Sequence, residues 1–218
     1  MKKQTLSLEH NIRVAEPLTE KSPVIIMLHG FGSDENDLFS FATELPEKYT
    51  IISLKAPIPM QPYGNAWYNI YFDDTKGKFS DDEQAIASRD LVVKCIDEII
   101  SKYQVSEKNV TLLGFSQGTI LSFAVALSYP EKVQRVVGLS GYVNEAILKE
   151  GYEKNDFSNL KIYTSHGSVD QVIPVSWAQK TKPFLDNLNI PCTYSEFPVG
   201  HGVAPQNFYE LKDWLEKN

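Results

Sequence analysis

Cysteine is scarce in this chain. There are two in 218 residues: Cys95 in "DLVVKCIDEII" and Cys192 in "IPCTYSEF". Neither has metal-ligand spacing, and each reads as a small buried hydrophobe. No excess of cationic charge is present either. Twenty-one Lys and Arg face 28 Asp and Glu, a formal charge of −7, and the basic residues are scattered. No basic stripe invites nucleic acid or an anionic membrane surface. No apolar run is long enough to span a bilayer, so stable membrane insertion is not expected. The start, "MKKQTLSLEH", has two lysines but no apolar stretch after them, so no secretory signal is read. The cytoplasm is the expected location, and two cysteines suit it. There is no internal repeat, low-complexity tract or long linker. What is present is 42% hydrophobic and 22% charged, a composition of globular chains, at a length that suits one domain over 1–218.

Strand-like and helix-like stretches alternate along the chain. "TLSLEHNIRV" alternates and predicts an edge strand. "VIIMLHG", "YTIISLKAP", "NVTLLGFS", "VQRVVGLSG", "NLKIYTSHG" and "PCTYSEFP" predict further strands. "NDLFSFATEL" predicts a short helix. "DDEQAIASRDLVVKCIDEIISKY" predicts a long one, with Val92, Ile96, Ile99 and Tyr103 in one stripe and acids at its N-terminal end. "VSWAQKTKPFLDNL" and "QNFYELKDWLEKN" complete the helices. Continuous apolar strands interleaved with helices imply an α/β fold: a mostly parallel central sheet with helices on both faces. In such sheets the site lies beyond the carboxyl ends of the strands. Four strands end there in polar groups: His29, Ser116, Ser140, and His166 followed by Asp170.

Ser116 stands in "GFSQG", between a β-branched run and the helical stretch Gln117 to Leu127, which Pro130 closes. G-x-S-x-G alone is weak, since a chain of this size carries it by accident about one time in fifteen at ordinary Gly and Ser frequencies. On a strand-to-helix turn it means more. The turn strains the serine and pushes its hydroxyl out at the top of the sheet, where the next helix aims its free N–H groups.

A serine hydroxyl needs a base, and the base needs a carboxylate. In the doubly wound hydrolase arrangement the order is Ser, acid, His. His10 and His29 precede the serine, leaving His166 and His201. His201 lies between Gly200 and Gly202, after the last strand, on a loop able to swing an imidazole over a neighbouring strand end. A surface-loop histidine is the plainer alternative. His166 sits on a strand end and reads as packing beside the site. Asp170 is the best-placed acid, in a loop opening from a strand, though a simple turn residue is the other reading. Glu131, Glu145, Glu150, Glu153, Asp186 and Glu196 lie in weaker places. An oxyanion hole needs backbone N–H groups. Gln117, next to the nucleophile, and Phe31, in "LHGFGSDENDL", are the expected donors. The acidic run after Gly32 and the lack of G-K-[ST] argue against phosphate binding there.

Together, "LHGFGSDENDL", "AP" followed by "NAWYNI", "GFSQG", "HGSVDQVIP" and "GHGVAPQNFYELKDWL" resemble the small carboxylesterase/phospholipase family that includes the acyl-protein thioesterases, within the α/β-hydrolase fold. The resemblance covers nearly the whole chain. It implies Ser116, Asp170 and His201 as triad, Phe31 and Gln117 as oxyanion-hole donors, and Trp67 near the acyl pocket; a core aromatic is the alternative for Trp67. Thr119 stands where relatives often have glycine, and Gly202 where many have a larger polar residue.

The expected activity is serine-dependent cleavage of carboxylic esters through an acyl-enzyme, with no metal or organic cofactor. Lysophospholipase and acyl-protein thioesterase are the alternatives. A non-catalytic hydrolase-fold binding protein and a peptidase are weaker rivals. The partner is a small ester or thioester substrate, and a homodimer is left open. "PIPMQPYGNAWYNIYF" would set Met60, Tyr63, Trp67, Tyr68, Tyr71 and Phe72 beside the site. No insertion is long enough for a large cap domain, so an open, shallow site is expected.

Overall fold

The computed structural model describes residues 4–73 and 77–218, and side chains outside 72–79. In chain order the elements are β1 (His10–Arg13), β2 (Val24–Leu28), β3 (Thr50–Leu54), β4 (Ile58–Pro59), β5 (Asn65–Ala66), β6 (Ile70–Asp73), β7 (Gly77–Ser80), α1 (Asp82–Tyr103), β8 (Val110–Phe115) and α2 (Gln117–Ser128). Then come β9 (Arg135–Leu139), β10 (Lys161–Gly167), α3 (Val175–Ala178), α4 (Thr181–Asn187), β11 (Cys192–Phe197) and α5 (Pro205–Lys217).

Seven strands form one sheet in the order β1-β3-β2-β8-β9-β10-β11. Only β1 runs antiparallel, along the edge beside β3. Alternation along β2 splits the core into two layers. Val24, Ile26 and Leu28 pack with residues of α1, α2 and α4, whereas Ile25 and Met27 pack with Leu211 and Leu215 of α5. Helices therefore cover both faces, which is why the central strands read as unbroken apolar runs. Chain order reverses direction between β2 and β8, so their carboxyl ends open a crevice at that switch point.

Helix α1 follows its sequence signals. Asp81 caps it, accepting a hydrogen bond from Gln84 N at 3.0 Å, and Gln104 ends it in the left-handed conformation. Val92, Ile96, Ile99 and Tyr103 are all buried. Each full burial of this kind contributes about 1.5–3 kcal/mol, so the stripe and not the cap holds the helix down.

Three expectations change. The edge strand is only His10–Arg13, because Leu6 and Leu8 turn into the core and Ser7 is held on α1 by Glu98. "NDLFSFATEL" folds as a 3₁₀ turn, Leu38–Thr43; the Ser40 hydroxyl donates to Asp37 O at 2.7 Å, a local bond that competes with regular helix. "VSWAQKTKPFLDNL" is two helices, α3 and α4. Pro183 has no N–H, and its ring would clash with the Gln179 carbonyl in a continuous helix. The two small hairpins, β4–β5 and β6–β7, had no clear sequence signal.

Candidate active site

The serine turn is built by close approach. Ser116 joins β8 to α2 with φ 53° and ψ −116°, an unusual conformation for a residue with a side chain. Its N–H donates to Leu139 O at 2.8 Å. A Cβ on Gly118 would lie 1.9 Å from Leu28 O, and one on Gly114 would lie 2.4 Å from Gly118 O. Only glycine lets α2 start this close to β2 and β8. Thr119, the departure from the family pattern, fills the corner: its Oγ1 lies 2.8 Å from Gly114 O and 2.7 Å from Leu139 O, and accepts from Leu139 N at 2.9 Å.

Ser116, His201 and Asp170 come together from three separate strand ends. His201 Nε2 is 2.9 Å from Ser116 Oγ, and His201 Nδ1 is 2.7 Å from Asp170 Oδ2. The Asp170 side chain is wholly buried and that of His201 is 17% exposed. Oδ1 of Asp170 accepts from Val172 N at 2.8 Å and Ile173 N at 3.0 Å. Burial pushes the Asp170 carboxyl up, but the His201 hydrogen bond, the two backbone N–H groups and attraction to His201 together hold it below its ordinary value. The His201 loop is tied to the Asp170 loop by backbone bonds, Ser168 N to Phe197 O at 2.7 Å and Val169 N to Val199 O at 3.3 Å. The Phe115 ring packs on the imidazole with centroids 5.0 Å apart. Gly202 has open space around it, so this second departure leaves the loop geometry unaffected.

Phe31 and Gln117 both line the cleft beside Ser116. Among the described residues, neither backbone N–H has a protein acceptor. The Gln117 side chain clamps a neighbouring strap: Oε1 accepts from Trp67 N, and Nε2 donates to Tyr68 O, both at 2.8 Å. The strap also holds the Phe31 loop, through Gly32 N to Asn65 O at 2.9 Å and Asn65 N to Ser33 O at 2.8 Å.

Trp67 does not line the cleft. It is fully buried, its indole N–H donates to His29 O at 2.9 Å, and its ring lies 5.6 Å from that of His29. The core-aromatic reading describes it. Of the other aromatic-segment residues, Tyr68 lines the cleft, while Met60, Tyr63 and Tyr71 do not; Phe72 lies outside the described side chains. The cleft holds about 530 Å³, and among the described residues no large cap domain covers it. Its apolar wall includes Ile70, Ile120, Tyr142 and Trp177, with the last two rings edge to face at 5.1 Å. Tyr142 and Trp177 come from loops and a short helix far apart in sequence, and no motif singles them out.

His29 and Ser140 are structural. His29 is buried between Gly30 O, 2.8 Å from Nδ1, and Ala56 N, 3.0 Å from Nε2, and burial lowers its pKa. Ser140 is buried, with its N–H donated to Ser165 O. His166 is buried against Asp170, with Nε2 2.9 Å from Ile173 O and 3.3 Å from Asp170 Oδ2. Both cysteines are free thiols, and burial pushes Cys95 up to about 11 and Cys192 up to about 12. Among the described residues, no group of three or more His, Cys, Asp and Glu side chains is placed to hold a metal ion, and no helix is long and apolar enough to cross a membrane.

Comparison with known proteins agrees with the fold. The model of the Phospholipase/Carboxylesterase family matches residues 9–218. Acyl-protein thioesterase 1 of Saccharomyces cerevisiae is 26% identical over 234 residues, covering 96% of this chain and 98% of the yeast protein. A probable carboxylesterase of Oryza sativa subsp. japonica is 27% identical over 161 residues, 70% of this chain; the match spans 58% of the rice protein's length. The crystal structure of the Bacillus cereus carboxylesterase superposes with a TM-score of 0.84 at 19% identity, covering 97% of this chain and 94% of the other. With its parallel sheet, its serine turn and a family match over nearly its whole length, the chain belongs to the phospholipase/carboxylesterase family of the α/β-hydrolase fold.

Proposed function

We propose that the protein is a serine hydrolase of carboxylic esters, with Ser116 as nucleophile, His201 as general base and Asp170 as the orienting carboxylate. The observation that carries this reading is the unbroken relay from Ser116 Oγ through His201 to the buried Asp170 carboxylate, at 2.9 and 2.7 Å. Ser116 Oγ attacks the acyl carbonyl as its proton passes to His201 Nε2. Asp170 keeps the proton on Nδ1 and stabilises the imidazolium. The tetrahedral oxyanion takes the N–H groups of Phe31 and Gln117, and removing one such donor typically costs about 3–4 kcal/mol in the barrier. His201 then protonates the leaving group. Water repeats the cycle and frees the acid.

The cleft wall bears on the substrate. Ile70, Ile120, Tyr142 and Trp177 favour an apolar acyl group, and 530 Å³ suits short to medium chains. The wall also carries Asp37 and Asp82 and, among the described residues, no Lys or Arg. That charge disfavours the phosphate of a lysophospholipid. A thioester substrate is the second reading: it uses the same relay, and the yeast relative is named a thioesterase. Two free thiols, Cys95 buried and Cys192 half-buried, support our placing the protein in the cytoplasm.

The test is labelling by a fluorophosphonate probe together with turnover of p-nitrophenyl esters of increasing chain length. Wild type is expected to label and to turn over; Ser116→Ala is expected to fold, to escape labelling and to lose several orders of magnitude in rate. A Ser116→Ala protein retaining more than a few per cent of turnover overturns the assignment.

A further inference from the structure

We infer that His166 is a positioning residue: through its hydrogen bond to Ile173 O it clasps the loop that carries Asp170 and aims the carboxylate at His201. The inference rests on the triad proposed above. His166 closes β10 and its side chain is fully buried, as is that of Asp170. Nε2 of His166 is hydrogen-bonded to Ile173 O at 2.9 Å and lies 3.3 Å from Asp170 Oδ2. A carbonyl can only accept, so Nε2 carries the proton and donates it to Ile173 O. Nδ1, on the other side of the ring, is buried with no hydrogen-bond partner. The Nε2–H bond to the Ile173 carbonyl is therefore the ring's one fixed anchor among the described residues, and it ties the end of β10 to the loop whose Ile173 N donates to Asp170 Oδ1.

Val172 N and Ile173 N donate to Oδ1 of Asp170 and His201 Nδ1 lies at Oδ2, while the His166 ring packs against that same oxygen, 3.3 Å away. The clasp also holds Ile173, which lines the cleft. Few other ionisable groups face the pair. On β11, Glu196 stands beside His166 in register, but its Oε1 is exposed and taken by Gln179 and Tyr194. Helix α3 carries no charged residue, and the serine turn presents only Ser116.

The experiment compares His166→Leu and His166→Gln with wild type. Gln reaches as far as Nε2 and keeps a neutral N–H donor; Leu fills the space without one. The readouts are kcat and KM on a short p-nitrophenyl ester, the pH–rate profile, and the downfield proton NMR signal of the His201–Asp170 hydrogen bond in a Ser116→Ala background, where no turnover is needed. With the clasp gone, the Leu variant is expected to lose about ten- to a hundredfold in kcat with KM within about threefold. Its acid limb is expected at higher pH, since a less satisfied carboxylate favours the imidazolium more, and its downfield signal broadened or shifted. Gln is expected to restore all three. If Leu matches wild type in rate, profile and signal, or if Leu and Gln fail equally while both stay folded by circular dichroism, the clasp is wrong. Failure of the triad itself looks different: Ser116→Ala would stay active, or the downfield signal would be missing from the His166-containing protein.

Discussion

Replacing Gln117 with leucine separates the scaffold of the oxyanion site from its chemistry. The expected donor is the backbone N–H of residue 117, which every substitution keeps. The side chain does something else, holding Trp67 N and Tyr68 O at 2.8 Å each inside the protein. Leucine occupies a similar volume but offers neither partner. Two buried backbone groups are then left unpaired, at about 1–3 kcal/mol each. Burying leucine in place of an amide returns part of that, so a net loss of about 3 kcal/mol is expected. For a chain of this length that corresponds to a fall of roughly 6–12 °C in Tm. Scanning calorimetry and urea unfolding give the stability, and kcat/KM for a short ester gives the chemistry. Because the strap also pins Gly32 and Ser33 through Asn65, kcat is expected to fall about tenfold, far less than for loss of Ser116. Gln117→Glu is the companion: one oxygen still accepts from Trp67 N, but the other faces the Tyr68 carbonyl, so it is expected to unfold at least as early as the leucine variant. A Gln117→Leu protein that melts within 1–2 °C of wild type (less than about 1 kcal/mol) would refute the view that this clamp supports the site.

Asp170→Asn keeps the shape of the acid but removes its charge, and kcat is expected to drop by roughly four orders of magnitude, as in comparable triads. The same variant tests linkage. The Asp170 carboxyl lies below its ordinary value of 3.8 in the folded protein, so its contribution to stability is complete above that pH and is lost as the pH falls through the folded value. Unfolding free energy measured from pH 6 downward is accordingly expected to fall less steeply for Asp170→Asn than for wild type; identical slopes would remove Asp170 from the acid response. Gly118→Ala places a Cβ 1.9 Å from Leu28 O and 2.8 Å from His29 O, all backbone, and is expected to cost more than about 4 kcal/mol. Recovery of a folded, fully active Gly118→Ala protein by circular dichroism and ester turnover would contradict the close packing of α2 on β2.

The order of the main elements was legible in the sequence because a strand buried on both faces has to be apolar throughout, as in Val24–Leu28, and a helix on that sheet has to show a stripe, as in Val92, Ile96, Ile99 and Tyr103. Ser116, His201 and Asp170 could be singled out for a related reason. Each stands where an apolar run breaks into glycine-rich turn chemistry, at strand ends that a parallel sheet gathers on one edge. The relay distances, the burial of Asp170 and the fate of the other histidines were decided only by tertiary packing. Chain order and the glycine-flanked loop set His201 apart from His29 and His166 at their strand ends, but nothing local says where those two rings point. His29 turns inward between Gly30 O and Ala56 N, and His166 turns toward Asp170. Trp67 shows the same limit. Its neighbourhood was expected beside the acyl group, yet the strap is oriented by Gln117, which buries the indole and leaves Tyr68 to face the cleft. Tyr142 and Trp177 were invisible because their meeting depends on contacts between segments remote in sequence. Periodicity and turn residues encode what each segment does to its own backbone; which side chain turns toward which neighbour depends on hydrogen bonds and burial that exist only once the layers are packed.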